Sequence, residues 1–286
     1  MSEPVEPVTH AQPGAGRPGA VGMSGLLALA AGSVLDAPPA EVVRAAAAAR
    51  FDAVGLRSSA EHALDPAGRR GLRALAADLG VVVHDLEVVR LREPGSLVEV
   101  DRLLEAAADL GASRLLVVSD HPDPAVTEEL LAATVERAAA AEVTVGLEYM
   151  AWTTPSDPAA AAAMAARTGA TVIADLLHHV RVGAGAAELH DLVVSGRLGW
   201  VQLCDAPLAP PSDLVHEARH ERRPPGEGEL PLRELLQVVP DGATCSVEVQ
   251  SDVLAARTTP AERAVLLAAA ARRVLGAEGQ SPSSTG

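Results

Sequence analysis

Eight short β-branched or apolar runs recur along the chain: GLLALA (25–30), DAVGLR (52–57), VVVHDLEVV (81–89), RLLVVSD (114–120), TVGLEYM (144–150), TVIADLL (171–177), WVQLCDA (200–206) and TCSVEVQ (244–250). Between them lie alanine-rich stretches such as PPAEVVRAAAAARF, DRLLEAAADLGA and TEELLAATVERAAAAE, built from strong helix formers and ending at Gly or a polar turn. Strict alternation of strand and helix forces parallel pairing. Eight units in 286 residues predict an α/β fold of the (β/α)8 TIM barrel type. The competing doubly wound open sheet normally carries a glycine-rich phosphate turn after its first strand, and AAGSVLDAPP matches GxGxxG poorly. Residues 1–22 and 277–286 lack apolar period and are expected to be disordered tails, leaving 23–276 as the catalytic barrel.

Charge and residue usage narrow the chemistry. Arginine supplies every one of the 23 basic side chains, set against 38 acidic ones, for a formal charge of −15. Such a surface repels nucleic acid and anionic membrane. With no lysine anywhere, a Schiff-base aldolase, a pyridoxal-phosphate enzyme and a Walker-type nucleotide site are all excluded, because each needs the lysine amine. Cys204 and Cys245 sit in apolar runs without ligand spacing and read as buried free thiols. There is no signal-peptide pattern at the N-terminus and no apolar run long enough for a membrane span, so a cytoplasmic protein is expected.

In a barrel of this kind the active site lies at the C-terminal strand ends. Polar residues late in each run are Arg57; His84, Asp85 and Glu87; Asp120 and His121; Glu148; Asp175 with His178 and Arg181; Gln202 with Asp205; and Glu248. The cluster in TVIADLLHHVRVGAG could be a solvated loop as well as a wall of a site. Glu148 and Glu248, however, stand in runs that should be buried on both faces, where an ionised carboxylate is costly unless neutralised. Core salt bridges would answer for each singly. A shared cation answers better for Glu148, Asp175, Gln202 and Glu248 together, at equivalent depths of four consecutive strands. Three carboxylates and an amide oxygen form a hard site, favouring Mn2+ or Mg2+ over zinc.

The order LEYMAW, DLLHHVRVG, VQLCDAP, ERRPPGEGEL and SVEV resembles the xylose-isomerase-like barrel superfamily, in its sugar phosphate isomerase/epimerase branch with ketose 3-epimerases, inosose dehydratases and 3-dehydroshikimate dehydratases. The resemblance is specific from about residue 144 onward. It implies one divalent ion, Mn2+ foremost with Mg2+ or Co2+ as alternatives, on Glu148, Asp175, Gln202 and Glu248. Gln202 departs from the histidine of many relatives and removes a nitrogen donor. By the same resemblance His178 flanks the metal or contacts substrate and Arg181 is the arginine of a DxxHxxR pattern, whereas His179 has no counterpart and is read as packing or solvent-facing. A DNA-repair endonuclease on this barrel would need a histidine-rich zinc cluster and a basic face, both absent. A non-catalytic barrel that needs a partner stays open.

A cation chelated by a hydroxy-ketone stabilises the enediolate formed on proton loss from the neighbouring carbon. Glu148 or Glu248 would be the base, and two carboxylates flanking that carbon give isomerisation or epimerisation of a small polyhydroxylated ketone. If a hydroxyl lies β to the carbonyl the same chemistry gives a dehydratase, with His178 protonating the leaving oxygen. Met150, where some dehydroshikimate dehydratases carry histidine, argues against that outcome; Gln202 argues for it. The loop APLAPPSDLVHEARHERRPPGEGEL is too long and too charged for a simple connection and is read as a lid or substrate-binding loop. Its Arg219, Arg222 and Arg223 suit a carboxylate or phosphate. Arg57, His121, Trp152, Arg181, Asp205 and Arg222 are the candidate substrate contacts. A homo-oligomer is allowed.

Overall fold

A computed structural model describes residues 25–57 and 64–276, so the two expected tails, 1–22 and 277–286, lie outside the described residues. Eight parallel strands close into a barrel in chain order: β1 (Leu27–Leu29), β2 (Ala53–Arg57), β3 (Val82–Leu91), β4 (Arg114–Ser119), β5 (Thr144–Glu148), β6 (Thr171–Asp175), β7 (Leu198–Leu203) and β8 (Cys245–Val247). Closure through β1 and β8 pairs Leu27 with Cys245 and Leu29 with Val247, which leaves no exposed edge. The open-sheet alternative is thereby excluded.

Local sequence marks where most helices begin. Asp65, Asp123 and Asp157 each precede a proline, and each side chain accepts a hydrogen bond from a backbone N–H of the first turn. Proline at the first helical position costs nothing there, because its missing N–H would have had no intrahelical partner. The helices Ser96–Leu110 and Pro158–Thr168 stop at Gly111 and Gly169, both left-handed at φ 74° and 86°.

Strand alternation sorts the apolar residues into two cores. Leu115 and Val117 face the helices, while Leu116 and Val118 face inward and join Met150, Ile173 and Trp200. Trp200 fills the barrel interior so tightly that a Cβ on Gly146 would lie 2.4 Å from its ring. Both cysteines are buried and free, and burial raises the Cys245 thiol to about 12. Among the described residues no helix is long and apolar enough to cross a membrane.

Candidate active site at the C-terminal mouth

Register sets the floor of the mouth. Asp175 pairs with Gln202 across β6 and β7, and Gln202 pairs with Ser246, two residues before Glu248. Asp175 ends β6 and caps the short helix Leu176–Arg181: its Oδ1 accepts from the N–H groups of Leu177 and His178 at 2.9 and 3.1 Å. The cap turns the Oδ2 lone pairs elsewhere and sets His178 one turn above the carboxylate.

Arg222 takes that free oxygen. Its guanidinium, almost wholly buried, donates through Nη1 to Asp175 Oδ2 at 2.5 Å and lies 3.7 Å from Glu248 Oε2. Nη2 stands 3.3 Å from His178 Nε2, and Nε donates to the Ala218 carbonyl at 2.7 Å. Glu248 also accepts from Gln202 Nε2 at 2.8 Å and from Gln250 Nε2 at 3.1 Å. Glu148 Oε1 lies 3.8 Å from His178 Nε2, and Trp152 packs edge-on to the His178 ring.

Glu148, Asp175 and His178 each offer one ligand atom, all three within 4.8 Å of one another and all buried, a group that could hold a metal ion. Gln202 Oε1, beside it in the strand register, is buried without a hydrogen-bond partner. Its amide nitrogen is committed to Glu248, so the orphan oxygen is an acceptor still awaiting a donor or a cation.

Burial sets the charge states. It raises the Glu148 carboxyl well above its ordinary range, and the neighbouring Glu248 and Asp175 carboxylates add to the rise. Glu248 is raised in the same way, with Arg222 working against it. Burial also pushes Asp175 upward, but the Arg222 guanidinium and its other partners outweigh burial and hold it below the usual range. His178 is lowered to about 4 by burial, so the imidazole is neutral and its Nε2 is placed to accept from Arg222.

An open cleft lies above this floor. Among the candidates, Glu148, Glu248, His178, Trp152, Arg57 and Arg222 line it; Asp175 and Gln202 lie beneath. Three candidate substrate contacts have partners within the protein. Asp205 accepts from the backbone N–H groups of Ala206, Gly226 and Leu230, so its carboxylate is spent knotting the loop after β7. Arg181 is held by Glu217 at 2.7 Å and by the carbonyls of Pro207 and Leu208. His121 stays on the β4 rim, bonded to Asp123 and Ser119. The loop is a tethered wall containing the helix Leu214–His220, pinned by the Asp205–Arg223 and Glu221–Ser251 bridges. His179 is internal: Tyr149 Oη donates to its Nδ1 at 2.6 Å and its Nε2 donates to the Gly185 carbonyl at 2.8 Å.

Glu87, Arg90 and Gln250 are polar residues of the cleft that received no role from the sequence. Glu87, within β3, is buried with its Oε1 3.1 Å from Arg57 Nη2, and burial lifts it to about 8. Gln250 follows Glu248 by two positions, the same-face spacing of an extended segment, and that period was the available signal.

Comparisons with known proteins agree with this fold. The family model described as "Xylose isomerase-like TIM barrel" matches residues 43–271. Solved structures of similar fold include a xylose isomerase-like TIM barrel/4-hydroxyphenylpyruvate dioxygenase fusion protein, at 22% identity and TM-score 0.73 over 84% of this chain; the chain spans 41% of that protein's length. An IolI protein with a bound zinc atom matches at 13% identity and TM-score 0.76, over 87% of this chain and 98% of its own. The D-psicose 3-epimerase of Clostridium cellulolyticum H10, solved with D-tagatose, matches at 13% and 0.67, over 87% and 99%. No curated protein sequence matches the chain.

Proposed function

The chain belongs to the xylose isomerase-like TIM barrel family, and from that premise we propose that it is a divalent-metal-dependent isomerase or epimerase of a polyhydroxylated ketone. One observation carries the reading. Glu148 and Glu248, both buried and both raised in pKa, face one cleft across a floor of Asp175, His178 and Gln202. The two glutamates, Asp175 and the orphan Oε1 of Gln202 would hold the cation. An oxygen-rich donor set of this kind favours Mn2+ over Zn2+. When bound, the ion would polarise the ketone and stabilise the enediolate.

The protein's own groups then divide the proton work. Either glutamate, once ionised, removes the proton next to the carbonyl, and the other returns one on the opposite face. Arg222 keeps Asp175 ionised. His178 is neutral and faces Arg222 as an acceptor, so it orients the floor and does not supply a proton. That favours isomerase or epimerase over a dehydratase relying on His178 as its acid. The dehydratase of the 3-dehydroshikimate or inosose type remains the second reading, because the same enediolate expels a β-hydroxyl.

The test is incubation with a panel of ketoses, inososes and 3-dehydroshikimate in deuterated water with Mn2+. Deuterium entering one carbon next to the ketone without loss of water supports the proposal, whereas loss of water selects the dehydratase. Exchange that persists unchanged after chelation would overturn the metal-dependent reading.

A further inference from the structure

The cleft carries more positive charge than the molecule around it. On a protein with formal charge −15, four arginines, Arg57, Arg90, Arg219 and Arg222, line one opening beside three glutamates. Two of these arginines are committed elsewhere. Arg90 bonds to Asp120 at 3.0 Å, and Arg222 is buried against Asp175 at 2.5 Å. Arg57 lies 3.1 Å from Glu87 through Nη2, and its charge also acts on Glu248. The Arg57 side chain is about one-third exposed (31%) and lines this cleft. Arg219, exposed on the last turn of the helix Leu214–His220, has no hydrogen-bond or ion-pair partner among the described residues.

We propose that Arg219, with Arg57 across the same cleft, binds an anionic group of the substrate, a carboxylate or a phosphate ester, so that the enzyme acts on acidic polyhydroxylated ketones and not on neutral sugars. A guanidinium presents a planar fork of donors that matches either anion. The surrounding acidic surface would repel an anion in bulk, and the guanidinium groups at the mouth offset that repulsion locally. Arg222 is the less suitable anchor, because taking a ligand anion would strip its charge from the buried Asp175 and Glu248. This inference rests on the proposed function for where the ketone sits, but anion binding itself does not require the metal.

The experiment is calorimetric titration of the full chain at 0.15 M salt, with and without Mn2+, using D-gluconate, D-glucitol 6-phosphate and neutral D-glucitol as probes. At least one anionic probe should bind about tenfold or more tightly than D-glucitol, the range expected of a charge-assisted, partly desolvated pair. Preference for gluconate identifies a carboxylate site, and preference for glucitol 6-phosphate a phosphate site. Arg219→Ala should abolish the preference and Arg219→Lys should keep part of it. Arg233→Ala, which removes the same charge from a separate cavity near Asp205 and Val274, should leave it intact. Equal affinity for D-glucitol, no binding by any probe, or a preference that survives Arg219→Ala overturns the inference. Anion preference in a protein that binds no Mn2+ would retain this inference while defeating the metal-dependent function.

Discussion

Asp175 divides its two oxygens between a helix cap and Arg222, so its replacement should have two consequences that separate by readout. Asp175→Ala is expected to lose bound metal and catalysis together, measured by metal analysis of the purified variant. His178→Ala should keep the metal and lower the rate, because the imidazole that accepts from Arg222 no longer orders the floor. The adjacent His179 should behave in the opposite sense. It joins Tyr149 to the Gly185 carbonyl inside the protein, so His179→Ala should cost about 1–3 kcal/mol of stability from the orphaned partners, with turnover little changed. If urea melts show His179→Ala as stable as the parent, the internal chain is not the reason for that histidine. Arg222→Ala leaves Asp175 and Glu248 as buried, unneutralised carboxylates, and removal of one partner from such a group typically costs about 3–5 kcal/mol. Added Mn2+ should recover part of that loss, a recovery that packing alone would not produce.

Between elements, two buried arginines act as clasps. Arg181 ties the helix Leu176–Arg181 to Glu217 and to the carbonyls of Pro207 and Leu208, holding the wall after β7 against the barrel. Arg181→Ala should therefore release 206–231 to limited proteolysis before the barrel unfolds; cutting only in step with global unfolding would show the wall is held by other contacts. Arg263 joins the C-terminal helix Pro260–Val274 to the segment after β1, through the Ser33 carbonyl and both oxygens of Asp36. Its hydrogen bonds and charge hold the Asp36 carboxyl below the usual carboxylate range. A depressed folded-state value means that this contribution is fully present above the unfolded value near 3.8 and is lost as pH falls through the lower folded one. Acid melts of Arg263→Ala and the parent should converge over that window; a constant gap down to the lowest pH would assign the stabilisation to packing.

For the molecule as a whole, the mouth concentrates carboxylates that the fold must neutralise. Glu87, Glu148 and Glu248 are all raised by burial first, and each also feels another carboxylate nearby. A divalent cation that binds only the folded chain relieves this and stabilises it by mass action, about 2.7 kcal/mol at a hundredfold excess over Kd. The melting temperature of chelator-treated protein should rise on adding Mn2+, and the rise should vanish in Asp175→Ala. An increase of equal size in that variant would place the cation elsewhere. The interior below the mouth is closed by Trp200 against Gly146, so Gly146→Ala should overpack the barrel and cost about 1–3 kcal/mol.

The barrel was legible in the sequence because its determinants are local: the strand period, the alanine-rich helices and their Asp-Pro starts. The polar strand ends at Glu148, Asp175, Gln202 and Glu248 were legible for the same reason, since a carboxylate in a doubly buried run is conspicuous by itself. What converges on them was not. Arg222 lies 47 residues from Asp175 and reaches it because the wall after β7 folds back over the mouth. Asp205 is bonded to three backbone N–H groups of that wall, and Arg181 to Glu217 and two of its carbonyls, because buried N–H and C=O groups must find partners. Glu87 enters from β3 on the other side of the barrel, and only closure of the sheet brings it to the cleft it shares with Glu248. Local pattern determined the elements and the candidate carboxylates of the floor; the tertiary structure alone decided which charges meet, because a buried charge is settled by whatever distant group the closed fold delivers to it.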